Sequence, residues 1–318
     1  MNSAKVYKPS REANGPLKMH KIFKFVFLIL AAGIFSACDQ PPQTKDAPPK
    51  KSDAVEKTFS VKGVVKELLP DGKTAKIKHE EIPGFMAAMT MPLEVKDTNE
   101  LRGLQPGDAI SFRMIVTEKD GWIDHVQKLN QPPQEAPSKP TFRVVREVEP
   151  LKIGDPLPDY HFTNELGQAI SLGQFKGQAL AITFIFTSCT FPTFCPRMSS
   201  NFEEAAKKLN EMPGGPKNWH LLAISFDPEN DNPARLKSYA ELHHYDPARW
   251  SFLTGDLLEI DAITEQFELR FWHDGTTISH NLRTVVIDAA GRVQAIIKEN
   301  KWTSDELVQE LIKAANTP

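Results

Sequence analysis

Cysteine is scarce in this chain. Three residues of 318 exclude the small scaffolds that several disulfides hold together. Charge of one sign is lacking too: 38 basic against 41 acidic residues leave a formal net charge of −3, too little to gather nucleic acid or another polyanion. No apolar run reaches the ~20 residues that a membrane-spanning helix needs. No internal repeat points to a solenoid. What is present is a globular composition, 40% hydrophobic and 25% charged, in a chain long enough for two domains.

The N-terminus departs from that composition. Lys18, Lys21 and Lys24 precede the apolar run Phe25–Phe35, followed by Ser36-Ala37-Cys38. This is the outline of a secretory leader, with an uncleaved anchor helix as the competing reading. Its Cys38 after small residues resembles a bacterial lipoprotein leader, although Phe35 stands where that family usually has Leu. The resemblance implies lipidation of Cys38, and Asp39 behind it implies retention at the inner membrane, facing the periplasm. Met19 is an alternative start, because residues 1–18 add nothing to the leader. Export permits disulfides, so Cys189 and Cys195 can be oxidised at rest.

Two Pro-rich, charged stretches, Asp39–Lys57 and Gln131–Pro140, read as extended spacers. They divide the chain into a leader (1–38), a linker (39–57), a first globular segment (58–129), a second linker (130–148) and a C-terminal segment (149–318). In the first segment, short alternating runs are separated by turns at Pro70-Asp-Gly72, Pro106-Gly107 and Lys119-Asp-Gly121. With no helical run of useful length, they predict a small antiparallel β-barrel of the OB type. In the second, strands at Leu180–Phe186 and Trp219–Phe226 alternate with helices at Ser199–Leu209, Ala234–Leu242 and Leu257–Phe267. A hairpin from Arg283–Asp288 to Val293–Lys298 follows, and Thr303-Ser-Asp-Glu306 is a capping box for a final helix. The order βαβα then ββα predicts an α/β thioredoxin-like domain.

Cys189 and Cys195 flank a loop on an exposed turn between the first core strand and a helix. Such a pair can cycle to a disulfide or hold a soft ion such as Cu(I). A helix start there lowers thiol pKa and favours ligation, and Pro196 suits the first turn. A thioredoxin-type reductase would carry a proline before its last strand pair, but no proline lies between Pro247 and Pro318. A peroxiredoxin would carry Thr three residues before its reactive Cys, where this chain has Phe186 or Pro192. A plain structural disulfide is the bland alternative; so short a loop gains little from cross-linking.

The second segment resembles the SCO/SenC family of copper proteins. The matching residues are Gly154-Asp-Pro-Leu-Pro158, Cys195-Pro196, Ser225-Phe-Asp-Pro228 and Ser279-His280. The resemblance implies that Cys189, Cys195 and His280 bind one copper, as Cu(I) or Cu(II). The family commonly has three residues between its cysteines; here there are five. Asp227, with Glu229 beside it, is the candidate for orienting a ligand or partner. His243 and His244, adjacent on a polar helix segment, read as solvated. His273, in a polar loop, is a candidate extra ligand.

Three of the chain's eight methionines lie in Gly84-Phe-Met-Ala-Ala-Met-Thr-Met-Pro92. Met89 and Met91 face one side of a strand, and His79 ends the strand before them. Thioethers with an imidazole make a soft Cu(I) site, although flexible core filling is the commoner role of methionine. The segment resembles the CusF family of periplasmic copper-binding barrels, which implies His79, Met89 and Met91 as ligands. Met86 stands where that family has a Trp over the ion and can add a further sulfur.

Together these features predict a membrane-tethered periplasmic copper chaperone. The SCO/SenC resemblance implies delivery to the binuclear copper centre of cytochrome c oxidase, whose subunit is the expected partner, alongside other periplasmic copper or thiol-redox proteins. A thiol–disulfide oxidoreductase acting on the oxidase cysteines and a copper-buffering or resistance protein are the alternatives.

Overall fold

The computed structural model describes residues 56–130, 148–274 and 277–317. The leader with Met19 and Cys38, most of the first spacer and residues 131–147 lie outside the described residues. Among the described residues, no helix is long and apolar enough to cross a membrane.

Alternation builds the first half. In β1 (Lys57–Leu68), Val61, Gly63 and Val65 are buried while Lys62 and Lys66 are exposed, so one face turns inward. β2 (Thr74–His79), β3 (Met89–Glu94), β4 (Ala109–Val116) and β5 (Gly121–Lys128) complete an antiparallel sheet of order β3-β2-β1-β4-β5. Val95, just past β3, bridges Ile123 of β5, which brings the two edges together in the manner of a small barrel. Gly63 pairs with His79, and a Cβ there would lie 2.7 Å from both Ile77 Cγ2 and the Lys78 carbonyl oxygen. Bare backbone is needed beside His79.

The second half is a mixed sheet with helices against it. The hairpin β6 (His161–Asn164) and β7 (Ala169–Ser171) precedes β8 (Ala179–Ile185), which runs into α1 (Cys195–Glu211). Then come β9 (Trp219–Ser225), α2 (Pro233–Ala240), β10 (Trp250–Thr254) and α3 (Leu257–Gln266). A short hairpin, β11 (Phe271–Asp274) and β12 (Thr277–His280), leads to β13 (Arg283–Ile287), β14 (Val293–Lys298) and α4 (Ser304–Ala315). The order is β14-β13-β8-β9-β10-β6-β7, with β8, β9 and β10 parallel. Every residue of β8 and β9 is buried, as parallel strands covered on both faces require. This is the thioredoxin-like arrangement.

Several details depart from the sequence reading. α1 starts at Cys195 rather than Ser199, because Pro196 presets the first turn. The strand β10 and the hairpins β6–β7 and β11–β12 were not foreseen, and His273 lies on β11 rather than in a loop. The capping box forms as read: the Glu306 N–H donates to Thr303 Oγ1, and the Thr303 N–H donates to the Glu306 carboxylate.

The cysteine loop is not an exposed turn. Phe191 is 4% exposed and Phe194 2%, because the barrel covers this part of the loop. Gly121 of β5 forms the receiving notch: a Cβ there would lie 2.6 Å from Phe191 Cζ, and its three nearest atoms all belong to that ring. Burying a phenylalanine side chain contributes about 2 kcal/mol. Around it, Arg197 pairs with Asp120 at 3.1 Å and Lys301 with Asp71 at 2.7 Å.

Burial opposes ionisation of Asp71, but hydrogen bonds from Lys301, Thr74 and the Lys73 and Thr74 backbone outweigh it. They hold the carboxyl well below the usual carboxylate range. A depressed folded-state pKa adds stability above the unfolded value and loses it as pH falls. The stability advantage of the native chain over Asp71→Asn, read from urea midpoints, is therefore expected at pH 7 and should shrink as pH drops below ~4.

Candidate metal centre

The site begins with local chain direction. β8 delivers the loop, Cys189 turns inward with its N–H on the Phe186 carbonyl (3.2 Å), and Cys195 opens α1. From the other side, the β11–β12 hairpin ends in His280. The sulfurs of Cys189 and Cys195 and a ring nitrogen of His280 all lie within 4.8 Å of one another. Both thiols are free.

The imidazole is oriented from behind. His280 Nδ1 lies 2.7 Å from the Asn281 carbonyl oxygen, a contact that puts the proton on Nδ1 and the lone pair on Nε2. Phe186, Phe194 and Phe226 pack around the ring at centroid distances of 5.5, 5.7 and 5.0 Å. These walls fix the rotamer and keep the pocket apolar.

In that pocket the thiols divide one proton. The Cys195 thiol donates to Cys189 and pushes its pKa down to about 5, against burial. Burial first, and then the neighbouring sulfur, push Cys195 up. The helix start was expected to ease deprotonation of both ligands. Only Cys189 is eased, because two anions side by side in an apolar pocket repel unless a cation joins them.

Asp227 does not touch the ligands through its hydrogen bonds; its carboxylate accepts both from Asn230 Nδ2, at 2.9 and 3.1 Å, inside its own turn. The carboxylate that reaches the cysteine loop is Asp231, 0% exposed. It accepts from the Thr187 N–H (2.9 Å), the Thr187 hydroxyl and the Ser225 hydroxyl (2.7 Å). Arg235 adds Nε to Thr187 Oγ1 and Nη2 to Ser188 Oγ, and Asn300 Nδ2 holds the Thr193 carbonyl. The sequence marks residues 227–233 as a helix entry but does not say which carboxylate turns inward.

The other histidines stand apart. His273 and Glu229 are exposed. His243, expected to be solvated, has a side chain only 12% exposed and packs against Tyr239 and Trp250. His244 is exposed and pairs with Glu203 at 2.9 Å.

On the barrel, His79 and Met89 are directly paired across β2 and β3, and Met91 pairs with Ile77 on the same face. All three are buried. His79 Nδ1 lies 2.7 Å from the Glu80 carbonyl, so this ring is also turned to present Nε2 as its basic atom. Met86 is partly buried in the loop before β3. Met86, Met89 and Met91 line a cavity of about 200 Å³ whose other walls include Cys189, Phe191 and His280.

Two thiolates with an imidazole, and thioethers with an imidazole, are soft donor sets, and copper is the metal that fits both. Replacing Asp231 by Asn is expected to lower Cu(I) affinity about 10-fold by loosening the Thr187 end of the loop. Competition with a colorimetric Cu(I) chelator measures this, with circular dichroism to check the fold.

Residues 152–316 match the SCO1/SenC family, and residues 58–128 match the family described as copper binding periplasmic protein CusF. The SCO1 protein homolog of Bacillus subtilis is 37% identical over 110 residues, 33% of this chain and 53% of that protein. The chain thus spans about half the length of that relative. A SCO2-like protein of Rickettsia felis is 28% identical over 169 residues, 49% of this chain and 75% of its own. A solved structure of Bradyrhizobium japonicum ScoI with copper bound is 26% identical, with a TM-score of 0.43, covering 51% of this chain and 99% of that one. With its family match spanning more than half of its length, the chain belongs to the SCO1/SenC family.

Proposed function

We propose that this protein is a membrane-tethered periplasmic copper chaperone. It holds copper through Cys189, Cys195 and His280 and delivers it to the binuclear copper centre of cytochrome c oxidase. The observation that carries the reading is the convergence of two free thiols and an oriented imidazole within 4.8 Å, from the cysteine loop and the distant end of β12. His79, Met89 and Met91 form the second, thioether-rich site, with Met86 as a further sulfur, and that site captures Cu(I) for the first. Delivery to the oxidase follows the family, and one solved relative is described as a member of the Sco family of cytochrome c oxidase assembly proteins. Tethering through Cys38 follows the leader.

A second reading is favoured by one observation. Cys189, lowered to about 5 and paired with Cys195, has the form of an attacking thiolate. A reductase of the oxidase cysteines would use it. Against this, Cys195 is fully buried, and an imidazole occupies the space beside the pair.

Anaerobic Cu(I) titration of the intact reduced chain separates the readings. Two ions per chain are expected. Cys189→Ser and His280→Ala should each remove the tighter one and leave the other. Unchanged stoichiometry in both variants, with turnover on an oxidised protein substrate, would favour the reductase.

A further inference from the structure

The Cys/His centre and the methionine strand are not two remote sites. β3 is an edge strand of its sheet, and its outer side lies against β12. The contact falls at the donors: Thr90, between Met89 and Met91, donates its N–H to the Ser279 hydroxyl at 3.1 Å, one residue before His280. Thr190, one residue after Cys189, donates its hydroxyl to the Phe85 carbonyl at 3.3 Å, one residue before Met86. Both sulfur classes and the His280 ring open onto the same cavity. Room of that size suits an ion and ordered waters, not a protein acceptor.

The longer cysteine loop acquires a reason. Where the family commonly has three residues between the cysteines, this chain has Thr190-Phe191-Pro192-Thr193-Phe194. Phe191 is the residue seated in the Gly121 notch, so the added length reaches the barrel.

Building on the copper-delivery reading above, we propose that the docked barrel and the cysteine loop form the walls of one copper-exchange chamber. Within it, Cu(I) passes directly from the methionine thioethers to Cys189, Cys195 and His280. Phe191 in the Gly121 notch is the latch. While the latch holds, a protein acceptor cannot reach Cys195 or His280, so loading and delivery use different barrel positions. The exchange balances without a redox partner. Each copper–thioether bond that breaks is replaced by a bond to a thiolate sulfur or to Nε2, each thiol that becomes a ligand releases its proton to water, and copper stays cuprous.

The test uses the full chain loaded with one equivalent of Cu(I) and a water-soluble Cu(I) chelator. Gly121→Leu puts a side chain where the Phe191 ring sits, without touching a ligand. It should speed withdrawal of copper by the chelator at least ~10-fold, while the titrated stoichiometry stays at two. The double variant Gly121→Leu/Phe191→Ala, in which the new side chain fills the vacated space, should return withdrawal to near the native rate. Equal rates in the native chain and Gly121→Leu, with both ions still bound, would overturn the chamber and leave the delivery reading standing. Fast withdrawal that the double variant does not slow would overturn the latch. Loss of tight binding in the native chain itself would take away both.

Discussion

Two sulfurs and a ring nitrogen aimed at one point inside an aromatic pocket are the constraint on which the rest depends. Such a pocket tolerates one negative charge shared through a proton, but not two. Phe186, Phe194 and Phe226 make it apolar, and the Asn281 carbonyl fixes which nitrogen faces in. A monovalent soft cation relieves the second charge and matches the donors. The fully buried strands β8 and β9, the hairpin ending in His280 and the Asp231 hydrogen bonds all serve to hold that geometry.

Much of the fold could be read from residue order. Alternating Val and Lys along β1 required a half-buried strand, and the all-apolar run of β8 required a covered one. Thr303 and Glu306 announced their capping box three residues apart. β10 escaped because Trp250-Ser-Phe-Leu-Thr254 is a short run whose burial comes from its neighbours β9 and β6, not from its own pattern. The hairpin β11–β12 escaped because its polar residues mimic a loop.

The site was legible in its chemistry and not in its supports. Cys189 and Cys195 stood out as a thiol pair at a strand-to-helix turn, whereas His280, one of nine histidines, entered only through the family resemblance; the structure places the three side by side. Asp231 was not, because five acidic or amide residues crowd the entry to α2, and only three dimensions show which one reaches Thr187. The split in thiol acidity was also out of reach, because it depends on which sulfur donates to the other inside the buried pocket. The barrel's position over the loop rests on Gly121 and Phe191, 70 residues apart and unremarkable as letters.

The outer side of β3 carries a further consequence. A strand at a sheet border presents unsatisfied amide groups, and here the Ser279 hydroxyl of the other domain satisfies the one at Thr90. Were the barrel to leave the cysteine loop, as the delivery proposed above requires, that border would meet water and any passing chain able to pair with it. Unaccompanied opening is therefore self-limiting: the separated form is sticky, and either a recipient protein or the molecule's own second half must cover it again.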